Sequence, residues 1–252
     1  MTPSLHITRS RHPRPAATRV AFCDGGVDAS YRDGVDIELS HWIPNRTPAA
    51  FKAATSTEIA LRCVAAGGAA DVDLVVNNHV DTDGMLSVFA LLHPGPALAH
   101  RATLVQAAAM GDFHAWGEPD ARHLFQLVAL TRARLEALKT DPQDIYTTVH
   151  GLVRRALDGE RVAETAPGLA ALQAAVDAVH GGHIARSPLA PRLVHYQLPE
   201  PAVDADLLPA LDSPVRALAR LPPHARSQQD GERLQLLSSP QGRGWRPARA
   251  PA

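Results

Sequence analysis

The sequence predicts an α/β protein, a mainly parallel sheet flanked by helices with a helical middle section, and three observations carry this. Short β-rich runs stand near the start and near the end of the chain, long amphipathic stretches fill the centre, and the compact run 72–76 passes through a polar segment straight into an apolar helix. Strand, loop and helix in that order form the repeating unit of parallel sheets.

The elements follow in order. Residues 1–17 are rich in Arg, Pro, Ser and Thr without apolar periodicity and read as a disordered tail. The single α/β domain expected over 18–240 opens with short strands at 19–23 and 35–39, separated by Asp24-Gly25-Gly26. A helix over 55–64 ends at Gly67-Gly68, and a buried helix over 85–92 stops before Pro94. Further helices are expected at 97–110, 121–138, 143–157 and 169–179, then a strand at 192–198, a proline-bounded helix at 207–221 and a last strand at 234–238. Residues 241–252 read as a second disordered tail.

Composition bounds the function. The chain has 252 residues, 45% of them hydrophobic, enough for a substantial core, and its 25 basic and 26 acidic residues are scattered. The net charge of −1 leaves no footprint for duplex nucleic acid. No apolar run reaches the ~20 residues of a membrane span, and none follows the N-terminus as a signal-peptide core would. Cys23 and Cys63 form no metal or disulfide pattern and read as buried thiols, so a cytoplasmic location is expected. Oligomeric state leaves no trace in the sequence.

Chemistry is concentrated in Asn77-Asn78-His79-Val80-Asp81-Thr82-Asp83-Gly84. His79, Asp81 and Asp83 alternate, so in an extended segment leaving a strand all three project to one side, and Gly84 permits a sharp entry into the helix. Two carboxylates and an imidazole make a site suited to Mn²⁺ or Mg²⁺. The helix start adds N–H groups that favour an anionic group, so a small phosphorylated or polar molecule is the expected partner. Turn and capping duty is the competing account, with Asp83 as a plain N-cap. An EF-hand reading fails, because its first and twelfth positions would be His79 and Ala90.

Several residues beyond the segment come into question. His41 and Asp112 each follow an apolar run and are the best additional site residues, and Asp24 is either a ligand after the first strand or a turn residue. Glu58 and Arg62, four apart, read as an ion pair within a helix. His114 could complete a metal shell, and His180-Gly181-Gly182-His183 reads as a helix C-cap flanked by surface histidines.

Asn78-His79-Val80-Asp81-Thr82-Asp83-Gly84, followed by Met85-Leu86-Ser87, resembles the first motif of the DHH phosphoesterase superfamily, and Ala109-Met110-Gly111-Asp112 resembles the second. The resemblance implies a DHH-like fold and a Mn-dependent hydrolase of phosphoester bonds. It would use His79, Asp81, Asp83 and Asp112 as metal ligands and His41, Asn77, Asn78 and Gly84 as substrate contacts. The chain contains no Asp-His-His triplet, the third motif, so a non-catalytic small-molecule or partner-binding protein retaining the acidic loop stays open. Over residues 20–160 the wider pattern resembles an uncharacterised bacterial domain-of-unknown-function family. It rests on Leu39-Ser40-His41-Trp42, Thr47-Pro48, the stretch from Ser56 to Arg62 and Gly111-Asp112-Phe113.

Overall fold

The computed structural model describes residues 3–199, 221–241 and 244–247. Where the sequence suggests one domain over 18–240, the chain packs as two compact units. The first is Met1–Phe113 with Gly117–Arg161, the second His114–Trp116 with Val162–Ala252.

The first unit is built on four parallel strands, β1 (Ser4–Ile7), β2 (Val20–Cys23), β3 (Ile37–Leu39) and β4 (Leu74–Asn77), in the order β1-β4-β2-β3. In register, Ile7 pairs with Asn77, Phe22 with Val76 and Cys23 with Leu39, so all four carboxyl ends stand along one edge. β2, β3 and β4 are buried along their whole length, as strands covered on both faces must be. On one face Val20, Phe22, Leu74 and Val76 pack with Ala17, Val27 and Tyr31. Alternation turns Cys23 to the other face, where it meets Ser87 of helix α2 (Thr82–Leu92).

Helix α2 is apolar all round and buried from Thr82 to Leu91, which marks it as the central helix. It packs on β2 and β4 and is surrounded by α1 (Ser56–Ala65), α3 (Pro94–Ala99), α4 (Arg101–Phe113), α5 (Pro119–Ala137) and α6 (Pro142–Leu157). The helix expected over 97–110 is two helices meeting at His100. Pro94 and Pro96 open the first of them, since proline is tolerated where the N–H has no helical partner. Gly111 lets α4 approach α2, because a Cβ there would lie 2.9 Å from Thr82 Cβ. Both cysteines are free and buried.

The N-terminal segment departs from the expected tail. Ser4 to Ile7 form an edge strand on β4, and the following turn is bound to α6. Asp141, the N-cap of α6, accepts hydrogen bonds from Ser10 Oγ (2.6 Å) and Arg11 N (2.8 Å). Ile7 N also donates to Gln143 Oε1 at 3.4 Å. A four-residue strand is too short to show periodicity, and its partners lie about seventy and more residues away along the chain.

In the second unit β5 (Ala185–Ala190), β6 (Leu193–Gln197), β7 (Leu234–Gln241) and β8 (Gly244–Pro247) form a separate sheet in that order, antiparallel, parallel and antiparallel. Val194, Tyr196 and Leu237 join Val176 and Val179 of α7 (Ala166–His180) and Ala225 of α8 (Pro223–Asp230) in its core. The buried Asp230 accepts from Tyr196 Oη (2.5 Å) and the Arg186 guanidinium (2.6 Å). Strand β8 falls where a C-terminal tail over 241–252 was expected, while all but Leu221 of the helix expected over 207–221 lies outside the described residues. No helix among the described residues is long and apolar enough to cross a membrane.

Ile7 is fully buried, so Ile7→Ala should cost about 2–5 kcal/mol of stability. Urea unfolding reads this as a lower midpoint at unchanged slope, and an unchanged midpoint would show that the segment does not dock.

Candidate functional site

The parallel sheet delivers its chemistry to one edge. Asp24 follows β2 directly, Ser40-His41 follows β3, and the loop from Asn78 to Asp81 follows β4. Loops at the carboxyl ends of parallel strands are where α/β folds place their ligands. Asp24 sits at φ 42° and Gly25 at φ 104°, a tight left-handed turn that Asp tolerates and Gly favours.

That turn makes the buried Asp24 the centre of the cluster. Its Oδ2 lies 3.0 Å from His79 Nε2, and its Oδ1 lies 3.5 Å from His41 Nε2 and accepts from Ser56 Oγ at 2.8 Å. His79 Nε2 is also 3.0 Å from Asp81 Oδ2, and His41 Nε2 is 3.2 Å from Asp112 Oδ2 and 3.9 Å from Asp83 Oδ2. The sequence leaves Asp24 undecided between ligand and turn, since Asp-Gly-Gly serves either use.

Capping and clustering coexist in the two loop aspartates. Asp81 is the N-cap of α2, accepting from Gly84 N at 2.7 Å. Asp83 caps a different helix, taking the N–H groups of Ser56 (2.6 Å) and Thr57 (2.8 Å) at the start of α1. Asp83 is therefore no plain cap of its own helix, because its carboxylate bridges two helix starts.

Both histidines present Nε2 to the carboxylates. His41 Nδ1 is 2.7 Å from the carbonyl of Ala54, which only accepts, so Nδ1 carries a hydrogen and Nε2 is the nitrogen turned to the carboxylates. His79 Nδ1 is 2.7 Å from Asn78 Oδ1, the same arrangement with an amide oxygen. An imidazole oriented by an oxygen at one nitrogen and aimed at carboxylates with the other is the usual presentation of a metal-binding histidine. Tyr146 Oη donates to His79 O (2.9 Å) and Arg132 to Val80 O (3.2 Å), fixing the loop backbone from α6 and α5.

Asn77 and Gly84 complete the floor. Asn77 is 2% exposed, and its Oδ1 accepts from Asn78 N (2.5 Å) and His79 N (3.0 Å), which sets the amide orientation. Its Nδ2 is buried without a hydrogen-bond partner among the described residues. A Cβ on Gly84 would meet this Nδ2 at 2.7 Å, Asp81 Oδ1 at 2.9 Å and Asp24 Oδ2 at 3.1 Å, so three polar side chains converge over the bare glycine.

All the residues singled out from the sequence segment thus lie at one edge, joined by His41 and Asp112. Asn78 is turned to the side of His79 and to Gly26 O, at 3.4 Å. Others fall elsewhere. Glu58 pairs with Arg62 at 2.9 Å, His114 belongs to the second unit with its ring 5.1 Å from that of His224, and Gly181 caps α7.

The Family of unknown function (DUF6687) matches residues 13–196. The chain belongs to this family. The DUF6687 match takes in every residue of the cluster from Asp24 to Asp112. No curated protein and no solved structure matches the chain.

Crowded carboxylates titrate late. Burial, then the charges of Asp83, Asp81 and Asp24, push Asp112 up to about 8, and burial with Asp24 pushes Asp83 up to about 6. Burial alone would lower His79, but hydrogen bonds to Asp24 and Asp81 outweigh it and raise it to about 10. Burial would likewise raise Asp81, yet the contact with His79 holds it below the ordinary value.

Because these folded values lie above the unfolded ones for Asp83, Asp112 and His79, the stability they contribute is present at low pH and lost as pH rises. Chelator-treated protein should therefore lose Tm between pH 6 and 8, the window of Asp112 and His79. Asp112→Asn should flatten that loss in differential scanning calorimetry; a wild-type Tm constant across this window would contradict the assigned geometry.

Proposed function

We propose that this protein is a metal-dependent hydrolase of phosphoester-type bonds, holding two Mn²⁺ or Mg²⁺ ions. The observation that carries the reading is the double use of Asp24. Asp24, His79 and Asp81 form one donor set and Asp24, His41 and Asp83 another, each with ligand atoms within 4.8 Å of one another. One carboxylate shared by two sets is the arrangement a pair of ions ~3.5–4 Å apart requires.

The donor chemistry fits such ions. Donors 3.0 Å apart, as His79 Nε2 is from Asp24 and Asp81, match neighbouring corners of an octahedron with bonds of about 2.1 Å. Oxygen ligands with imidazole and without thiolate favour Mn²⁺ over Zn²⁺ in a structural role. Asn77 Nδ2, buried without a hydrogen-bond partner among the described residues, supplies a further donor beside Asp24 and Asp81. The resemblance of the segment from Asn78 to Gly84 to the first DHH motif supports the same chemistry. Asp24 and His41, from the ends of β2 and β3, supply donors that the missing Asp-His-His triplet does not.

Bound ions of this kind lower the pKa of a coordinated water and clamp phosphoryl oxygens. The chain's own residues hold the geometry: Ser56 orients Asp24, Ala54 O and Asn78 orient the two imidazoles, and Asp112 stands at His41 beside the second donor set. A second reading, a binding protein with a structural ion, is favoured by the capping roles of Asp81 and Asp83, which hold α1 and α2 whether or not catalysis occurs.

Metal analysis after dialysis against Mn²⁺ should find about two ions per chain, and Asp24→Asn should lose both because it serves each set. Hydrolysis of bis(p-nitrophenyl) phosphate should fall at least ~100-fold in that variant, of the size expected when electrostatic stabilisation is removed. Metal-free protein whose Tm ignores both EDTA and Mn²⁺ would refute the centre; bound metal without hydrolysis of any phosphoester would favour the binding reading.

A further inference from the structure

The acidic cluster opens into a cleft of about 370 Å³ lined by His41, Trp42, Ile43, Asp81, Asp112 and Phe113. Small-molecule sites begin at about this size. Its walls are apolar and open to solvent: Trp42 is 50% exposed, Ile43 92% and Phe113 52%. Three of the nine large hydrophobic residues exposed among the described residues thus line this one cleft, which singles it out from scattered surface apolarity. The two aromatics lean on the two histidines. Trp42 lies 5.2 Å from the His79 ring, tilted, and Phe113 lies 6.0 Å from the His41 ring, edge-on.

Charge narrows the ligand further. Among the described residues no Lys or Arg lines the cleft. Two divalent ions would match the four carboxylates of Asp24, Asp81, Asp83 and Asp112 in charge, and Arg132, the cation that acts on Asp81, is held at Val80 O and Glu136 rather than in the cleft lining, which leaves little positive charge for a polyanion. Sites for polyphosphates add Arg or Lys beside the metal, because each phosphate oxygen brings charge to be matched. A diester carries one negative charge and two organic groups, so it suits a nearly charge-balanced floor beside an apolar, aromatic lining.

We infer that the cleft takes a singly charged phosphodiester bearing a flat aromatic group, which packs on the apolar lining of Trp42 and Phe113 while its phosphoryl oxygens face the donor sets of Asp24. This rests on the metal-centre reading above. It excludes pyrophosphate and other compact polyanions as preferred ligands.

Titration calorimetry of the Mn²⁺-loaded protein with diphenyl phosphate, which carries the same charge as any diester, tests it against dimethyl phosphate and pyrophosphate. Diphenyl phosphate should bind at least tenfold more tightly than either, and Trp42→Ala and Phe113→Ala should each weaken it about tenfold while leaving dimethyl phosphate within twofold. Pyrophosphate binding more tightly, diphenyl phosphate not binding, or both alanine variants binding it as wild type would overturn the inference. Metal stoichiometry measured on the same samples separates the two readings. Two bound ions with any of those outcomes leave the metal centre standing and remove only the aromatic diester.

Discussion

Burying the Asp24 carboxylate with Asp81, Asp83 and Asp112 around it is the electrostatic constraint that the surrounding architecture answers. Like charges at such distances in a poorly solvated space repel strongly, and the cluster persists because each member has its own compensation. Asp83 rests on the first N–H groups of α1, Asp81 on the first turn of α2, Asp24 on Ser56 Oγ, and Asp112 on His41. The parallel sheet is the device that makes this possible, since parallel strands alone send successive carboxyl ends to one edge. A helix buried as completely as α2 then has to begin at that edge. Its first turn carries Asp83 and Gly84, one reaching across to α1 and the other leaving room above its Cα.

Membership of DUF6687 and the cluster geometry bear on different levels. The family match covers residues 13–196 and so includes the whole of the candidate centre, although it names no reaction. What the geometry adds is a division of labour among residues of one type. Four aspartates that look equivalent as letters differ in what holds them. Asp24 is shared by two donor sets, Asp81 and Asp83 are half structural, and Asp112 is pushed up to about 8 by burial and its acidic neighbours. The histidines differ less: each is pinned through Nδ1 by an oxygen and faces the cluster through Nε2.

Much of the first unit was legible because its signals are local. The apolar runs at 19–23 and 72–76 give β2 and β4 within a residue or two, and the segment from Asn77 to Gly84 stands out because three ligand-type residues alternate before a glycine. The role of Asp24 was not legible, since Asp24-Gly25-Gly26 is equally good turn chemistry and only the register of β2 against β4 brings it to His79. β1 escaped notice because its order comes from β4 and α6, far along the chain. In the second unit, β5 is mostly exposed and interrupted by Pro188, and α8 is mostly polar, so neither carries an apolar period to read. Trp42 and Phe113 are ordinary letters until the fold sets each against a histidine of the acidic cluster, in the lining of one cleft.

Helix α6 holds two things at once: the N-terminal strand, through Asp141 and Gln143, and the loop of His79, through Tyr146. On the ribosome β1 is made before the elements that hold it: β4 follows by about seventy residues and α6 by well over a hundred. β1 thus waits for partners made much later, and the His79 loop gains its braces, Arg132 of α5 and then Tyr146 of α6, only as those helices arrive. Long-range docking of this kind is slow and leaves a sheet edge open meanwhile. A bulky group placed directly before β1 would burden the step that completes the unit, whereas the same group placed after β8 would be added once the first unit had closed.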